Sequence, residues 1–225
     1  MSDVRLPSCV ADAVIGCLAD EGVVSATDCS MLVAPGLFAP SLSRRVRVLV
    51  CMDRDRSALE RIRGTTREGC RTELFEKDWM TYVPARGRYD SVVFGPSRLC
   101  FDRSALERAA MVSKRGCAAI LPKADPYAEL LRDLKGAAGD SVAVRGSFRP
   151  EPVFFGDGFP DFRIIRAEVE CGVPFDELSR ALSEDSGIPE DRFTPLLRRR
   201  MRSAADSSVY RYDVAVWRVP DVHSE

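Results

Sequence analysis

The stretch VRVLVCMD, residues 46–53, decides the fold. Its apolar and β-branched residues are nearly unbroken and stop at Asp53, which is typical of a buried strand in a parallel sheet. Ser57 and Glu60 follow with the spacing of a capping box, so we expect a short helix over 57–63. A buried strand followed directly by an amphipathic helix is the repeating unit of an α/β protein.

The same alternation extends to both sides of this stretch. A helix begins at Ser8, has its apolar face at positions 10, 13, 14, 17 and 18, and is closed by Gly22. A second capping box at Ser104 and Glu107 starts another helix, which Gly116 ends. The other elements expected in this part are strands at 31–34, 72–75, 89–94 and 117–121 and a helix at 127–134.

The last third of the chain has a different pattern. Residues 136–161 are rich in Gly, Pro and Phe and are interpreted as a loop, and 162–171 and 210–218 have the composition of strands. Helices are expected at 174–183 and at 189–203, the second restarting at Pro195. The whole pattern predicts an α/β fold with a doubly wound, mostly parallel sheet of about seven strands, an antiparallel edge and three layers. We expect a single domain over 1–225 with a helical insertion at 174–203 before the last strand.

Composition excludes several classes of function. A net charge of −1 argues against a general polyanion-binding protein, although it leaves room for a local basic stripe. The single histidine, His223, argues against Ser-His-Asp or Cys-His catalysis, and no metal site is expected. The eight cysteines form no CxxC motif, and most of them are interpreted as buried thiols of a reducing compartment. No signal peptide and no membrane-spanning run are visible, so we expect a cytoplasmic protein without membrane association.

Candidate binding residues follow the strands, because ligands of open α/β sheets bind outside the carboxyl ends of the strands. An acid after the second strand, Asp53, can accept hydrogen bonds from both ribose hydroxyls. Asp78 and Trp79, after the third, can hold and stack an adenine ring. The alternative is structural: aspartates and glycines are ordinary turn residues, Asp53 and Asp55 can start a helix, and Trp79 can cover the core.

The order of elements and several sequence segments resemble class I S-adenosylmethionine-dependent methyltransferases over about residues 8–218. These segments are 31–36, 48–53, 72–79, 89–94 and 116–121. Tyr89-Asp90-Ser91-Val92-Val93 is similar to the fourth-strand motif of that family, and residues 114–121 are similar to the turn and fifth strand that follow it. The resemblance implies S-adenosylmethionine as cofactor. The cofactor-binding positions that it implies are Ala34, Gly36, Asp53, Asp78, Trp79 and Gly95.

The first motif of that family is degenerate here. Leu32 stands where the family has an acid, and Ala34, Gly36 and Phe38 stand where it has three glycines. Glycine permits close backbone approach to a ligand, and the Phe38 ring can fill the space of the methionine tail. Two hypotheses follow: a methyltransferase of unknown acceptor that works by proximity and orientation, or a catalytically inactive binding or scaffold subunit that has lost the cofactor.

A basic cluster near the end of the chain is a further candidate site. Arg198, Arg199, Arg200 and Arg202 fall in a predicted helix. They are interpreted either as a solvated helix surface or as a contact for RNA phosphates. A protein partner or a homo-oligomer is expected under the scaffold hypothesis.

Overall fold

A computed structural model describes residues 8–124, 162–172, 176, 178–180, 183, 187–200 and 207–218 of the chain. The described strands are β1 Cys29–Val33, β2 Val48–Asp53, β3 Arg71–Glu76, β4 Tyr89–Phe94, β5 Ser113–Ala124, β6 Phe162–Gly172 and β7 Ser207–Arg218. The described α-helices are α1 Ser8–Asp20, α2 Ala39–Ser43, α3 Arg56–Ile62, α4 Arg103–Val112 and α5 Glu190–Arg200. The 3₁₀ turns are Gly36–Phe38 and Arg98–Phe101. The loop predicted at 136–161 and the helix predicted at 127–134 lie outside the described residues.

The seven strands form one sheet in the order β3-β2-β1-β4-β5-β7-β6. Strands β1 to β5 are parallel to one another, and the antiparallel strands lie toward the β6 edge. The strand order reverses at β1, which pairs with β2 on one side and with β4 on the other. The predicted fold class is therefore confirmed: an α/β protein with a mostly parallel sheet and an antiparallel edge.

The chain divides into two compact units. The larger consists of Ala11–Pro122, Pro150–Ala167 and Tyr212–Glu225, and the smaller of Met1–Val10, Lys123–Arg149 and Glu168–Arg211. The predicted insertion at 174–203 falls in the smaller unit. The expectation of one domain over 1–225 stays a prediction.

Both faces of the central sheet are buried. Met31 and Val33 on β1 belong to a core cluster that also contains Trp79 and α4 residues such as Leu106. Successive side chains of a strand point to opposite faces, so Leu32 faces the other side, and it is fully buried too. Burial on both faces explains why the central strands are continuous apolar runs rather than alternating ones.

The helices α3 and α4 begin with the same heptapeptide, DRSALER, at 55–61 and 102–108. In both, the aspartate and not the predicted serine is the N-cap. The Asp55 carboxylate accepts from the Ser57 amide at 2.8 Å, and the Asp102 carboxylate accepts from the Ala105 amide at 3.1 Å. The predicted capping boxes were wrong because a carboxylate caps the positive end of a helix at least as well as a hydroxyl does.

Two further boundaries differ from the prediction. Helix α4 ends at Val112, and Gly116 lies inside the longer strand β5 instead of ending the helix. A Cβ at Gly116 would come within 3.4 Å of the Trp217 carbonyl oxygen on β7, so glycine here permits close strand packing. Helix α5 does not restart at Pro195 but continues through it.

Two carboxylates, Asp28 and Asp90, link the amino ends of the central strands. The Asp90 carboxylate on β4 accepts from the backbone amide of Cys29 on β1 at 2.8 Å and from Nζ of Lys114 on β5 at 3.1 Å. Asp28, just before β1, has a buried carboxylate that pairs with Arg115 and accepts from the Ser25 amide. The fourth-strand motif residue Asp90 is therefore a tie between three strands.

These two carboxylates have opposite pKa shifts. Burial raises the pKa of Asp28 above the usual range, although Arg115 acts in the other direction. Burial also acts to raise the pKa of Asp90, but the hydrogen bond from Cys29 and the contacts with Lys114 outweigh it, so the pKa is lowered. A lowered pKa in the folded state means that ionised Asp90 stabilises the fold above its unfolded pKa of about 4.

We expect Asp90→Asn to lower the free energy of unfolding by about 1–3 kcal/mol at pH 7, because a charge-assisted hydrogen bond is lost. The difference from the parent protein should shrink as the pH falls through the lowered pKa of Asp90, where that carboxylate becomes protonated. Urea unfolding at pH 7, 5 and 3.5 measures both effects.

The matched control is Asp12→Asn, which removes an exposed carboxylate paired with Arg44. Its effect should stay below about 0.5 kcal/mol, as for most exposed ion pairs. A destabilisation by Asp90→Asn that is equal at all three pH values would contradict the assigned role of the carboxylate.

Candidate ligand site at the carboxyl edge of the sheet

The candidate site lies where the strand order reverses, at the carboxyl ends of β1 and β4. In open α/β sheets a crevice for ligands forms at such a point, because the connections leave in opposite directions. Here the two strands stay paired one residue past the end of β4, since the Gly95 amide donates to the Val33 carbonyl at 2.8 Å. The geometry of this junction decides what the edge can hold.

The loop after β1 has a left-handed backbone at two positions, of which one is a glycine. Ala34 has φ of +51° and Gly36 has φ of +48°. Among the described residues, Ala34 is the one non-glycine residue with a positive φ. The left-handed conformation costs an L-residue about 1–2 kcal/mol, so the surrounding structure enforces it.

Gly95 is required by its contact with this loop. A Cβ at position 95 would lie 2.0 Å from the Ala34 carbonyl oxygen, and that neighbour is backbone rather than a movable side chain. Gly36 lies in the same loop, and the predicted site residues Ala34 and Gly95 are brought into direct contact at this edge. Their role in the fold is a close backbone approach between β1 and β4.

The two remaining positions of the degenerate motif are core residues. Leu32 is fully buried, and Phe38 is only 2% exposed. The Phe38 ring packs edge-on against Tyr212 of β7, with ring centroids 5.9 Å apart. In the sheet, β4 and β5 lie between β1 and β7. The contact therefore connects the loop after β1 with a strand three positions away.

Asp53, at the end of β2, uses one carboxylate oxygen within its own turn. Its Oδ1 accepts from the Asp55 amide at 2.9 Å. Within the described part of the chain, its Oδ2 accepts no hydrogen bond, and the residue is half-buried. Asp55 serves the helix instead: hydrogen bonds from Ser57 lower its pKa, as expected of an N-cap carboxylate. The prediction of a helix-starting acid thus applies to Asp55, while Asp53 faces the edge.

Asp78 and Trp79 follow β3 and have different environments. The Asp78 Oδ1 accepts from the Met80 amide at 2.9 Å, and its Oδ2 lies 3.7 Å from the Arg54 guanidinium. Trp79 is 1% exposed, and its indole N–H donates to the Ala105 carbonyl at 3.1 Å. Its ring packs edge-on against Phe94 at 5.5 Å. This is the core-covering placement that the sequence left open as the alternative to stacking on adenine.

Cys100 is a neighbour of the site that sequence reasoning did not single out. Its thiol lies 3.3 Å from the Gly95 carbonyl oxygen and 3.8 Å from that of Ile120, below the ends of β4 and β5. Burial raises its pKa, so the thiol is protonated and unreactive at neutral pH. No local sequence signal distinguishes it from the other cysteines, because its position depends on the turn at 98–101.

Other functional predictions are tested only in part. The described residues contain no group of three or more His, Cys, Asp and Glu placed to hold a metal ion. None of the described helices is long and apolar enough to cross a bilayer. Arg198 on α5 is exposed, whereas the side chains of Arg199 and Arg200, and Arg202 as a whole, lie outside the described residues. The RNA contact proposed for this cluster stays a prediction.

Solved structures share this architecture. A proposed type II methyltransferase from Anaeromyxobacter dehalogenans is 15% identical, with a TM-score of 0.50, over 96% of this chain and 97% of that one. The chain has the fold of class I methyltransferases. A proposed methyltransferase from Bacillus halodurans is 14% identical with a TM-score of 0.47, over 92% of this chain and 98% of that one. No protein-family model matches the sequence, and no curated protein is significantly similar to it.

Gly95→Ala tests the junction directly. The added methyl group must displace the Ala34 carbonyl, so we expect a loss of about 2–4 kcal/mol in the free energy of unfolding, in the range of severe overpacking. Urea denaturation at neutral pH measures the change.

Gly16→Ala is the matched control, because a Cβ there meets no atom within 4 Å and the residue lies inside α1. It should stabilise the protein by up to about 1 kcal/mol through helix propensity. Equal effects of the two substitutions would refute the close approach at Gly95.

Proposed function

We propose that the protein is an S-adenosylmethionine-dependent methyltransferase with an acceptor still to be identified. The observation that carries the proposal is the left-handed backbone at Ala34 and Gly36, directly after β1 at the strand-order reversal. Alanine adopts this conformation only at an energetic cost, and such strain is retained most often where a loop must meet a ligand. The methyltransferase fold of the chain supports the same assignment.

The residues present fit the nucleoside half of the cofactor better than its amino-acid half. The Oδ2 of Asp53 is an acceptor suited to ribose hydroxyls at the end of β2. Ala34 and Gly36 place a short backbone turn next to it, with little side-chain bulk. In place of the expected acid, Leu32 offers only an apolar and fully buried side chain. We therefore assign the nucleoside half to Asp53 and the loop 34–36.

The cofactor, when bound, supplies an electrophilic methyl group. The protein's own contribution is then to hold the acceptor in line with that group and to exclude water, which needs no histidine. Asp53 positions the nucleoside. The close contact of Gly95 with Ala34 holds the backbone of the loop after β1 in place beside it. A mechanism of this kind requires no histidine near the reacting groups, and the single histidine of the chain is at position 223.

A catalytically inactive scaffold is the second candidate. It is favoured by the burial of Leu32 and Phe38, which have become part of the core. Phe38 is tied to Tyr212 and not free to move aside without loss of an aromatic contact, which is worth about 0.5–1.5 kcal/mol. A protein of this kind would act through a stable partner or a second copy of itself.

Isothermal titration with S-adenosylmethionine and with S-adenosylhomocysteine tests the proposal. We expect both ligands to bind. Asp53→Asn should weaken binding at least tenfold, because an NH₂ group, which donates hydrogen bonds, replaces one of the two carboxylate oxygens that accept them. That substitution keeps an oxygen for the Asp55 amide, so the turn is retained. Tenfold corresponds to about 1.4 kcal/mol of binding free energy.

Asp55→Asn is the control, because asparagine is an equally good N-cap and Asp55 does not face the edge. Its affinity should stay within twofold of the parent protein. Absence of heat at millimolar ligand would overturn cofactor binding and leave the scaffold candidate. Binding without methyl transfer to any offered acceptor would also favour the scaffold.

A further inference from the structure

The amino edge of the sheet carries a row of basic residues. Strands β2, β3, β4 and β5 are all parallel, so their first residues meet at one edge. The residues at or just before these strand starts include Arg47, Arg71, Arg88, Lys114 and Arg115, and all five are exposed. This edge is opposite to the carboxyl ends at which Asp53 and Gly95 lie.

Backbone contacts show that the central part of the row is continuous. The Arg71 amide donates to the Arg47 carbonyl at 3.1 Å, and the Arg47 guanidinium donates to the Thr27 carbonyl at 3.3 Å. Burial raises the pKa of the Cys29 thiol at the start of β1, whereas Arg88 and Arg47 both act to lower it. Arg47 precedes β2 and Arg88 precedes β4, and both strands pair with β1, so the two arginines flank the start of β1.

Further arginines extend the row at both ends. The Arg67 amide donates to the Ser43 hydroxyl at 2.8 Å, and its guanidinium donates to the Arg44 carbonyl at 3.4 Å. This places Arg67 against the turn that contains Arg45. On the other side, the turn with Arg86 is fixed by a hydrogen bond from the Gly87 amide to the α4 residue Met111.

Three of the acids at this edge pair with residues of the row, while Glu68 lies exposed beside Arg67 in the sequence. Asp28 pairs with Arg115, Asp90 with Lys114, and Glu73 with Arg71. Five exposed arginines have no described carboxylate within ion-pair distance: Arg45, Arg47, Arg67, Arg86 and Arg88. The edge therefore has a positive excess, although the whole chain has a net charge of −1.

We propose that this amino-edge basic row, residues 45, 47, 67, 86 and 88, binds the phosphate backbone of a nucleic acid. Neighbouring strands are about 4.8 Å apart, so the three spacings from β3 to β4 extend over roughly 14 Å. A row of that length suits a polymer with a repeating negative charge rather than a single small anion. Guanidinium groups are suited to phosphate because their planar donors bind two oxygens at once.

The binding is expected to be independent of sequence. Contacts from arginine to phosphate position a protein on a nucleic acid without reading its bases. The surface is separate from the candidate ligand site, because it lies at the other end of the same strands. The proposal therefore stands or falls independently of cofactor binding.

Fluorescence anisotropy with a labelled 20-nucleotide single-stranded RNA tests the proposal. We expect binding at 50 mM salt that Arg47→Gln/Arg88→Gln weakens at least tenfold. The slope of log affinity against log salt should fall by about 1.4, because each lost phosphate contact on a single strand contributes about 0.7.

Arg56→Gln/Arg103→Gln is the matched control, since it removes the same charge from the exposed first residues of α3 and α4, near the carboxyl edge. Its affinity should stay within twofold of the parent protein. Equal weakening by both double variants would show a nonspecific charge effect and overturn the proposal, as would absence of binding at 50 mM salt.

Two further measurements keep the result interpretable. If Arg47→Gln/Arg88→Gln fails to give a cooperative thermal transition, Arg45→Gln/Arg67→Gln removes the same charge from turn positions and should weaken binding as well. Polyglutamate of matched charge is added as a competitor. If it displaces the RNA equally well, the edge recognises acidic polypeptides and the assignment to nucleic acid is wrong.

Discussion

The close approach of β4 to β1 at the strand-order reversal is the constraint on which the rest of the structure depends. Gly95 has no room for a side chain beside the Ala34 carbonyl, and its amide extends the ladder one residue beyond β4. The loop after β1 must therefore turn sharply, which explains the left-handed backbone at Ala34 and Gly36. Phe38 then enters the core beside Tyr212. The same constraint fixes the fold and shapes the candidate ligand site.

The two edges of the sheet use different physical interactions. At the carboxyl edge, backbone contacts bring β1 and β4 together, and the acids Asp53 and Asp78 remain partly exposed. At the amino edge, the buried carboxylate of Asp28 and the part-buried carboxylate of Asp90 join three strands through charge-assisted hydrogen bonds. The carboxylates at the amino edge are occupied by contacts between strands. At the carboxyl edge, Asp53 has a carboxylate oxygen that can accept a hydrogen bond from a ligand. The proposed cofactor and nucleic-acid surfaces therefore lie at opposite ends of the same strands.

Much of the fold could be predicted from the sequence because the central strands are buried on both faces. A continuous apolar run such as 46–53 has few alternatives once it is followed by a helical pattern, and strand β4 was predicted with its observed bounds, Tyr89–Phe94. Helix starts were less predictable, since Asp and Ser compete for the same cap within DRSALER. The end of α4 was misjudged because Gly116 has a packing role against β7 that only tertiary structure reveals.

The candidate site was less predictable than the fold. Ala34, Gly36, Asp53 and Gly95 were identified because each follows a strand, and the parallel sheet brings strand ends together. Whether Trp79 stacks on a ligand or fills the core depends on a hydrogen bond to Ala105, 26 residues later, which no local pattern encodes. The amino-edge basic row has the same origin. Its arginines are scattered over more than 40 residues, and only the strand order makes them neighbours.

A crystal structure of the protein with S-adenosylhomocysteine is the most direct test of the central claim. We predict that the nucleoside lies over the carboxyl ends of β1 and β2, with a ribose hydroxyl within hydrogen-bond distance of the Asp53 Oδ2, and that the junction between Gly95 and Ala34 is unchanged. A ligand bound elsewhere on the protein, or a carboxyl edge in which the Gly95 and Ala34 backbones have moved apart to admit it, would contradict this account.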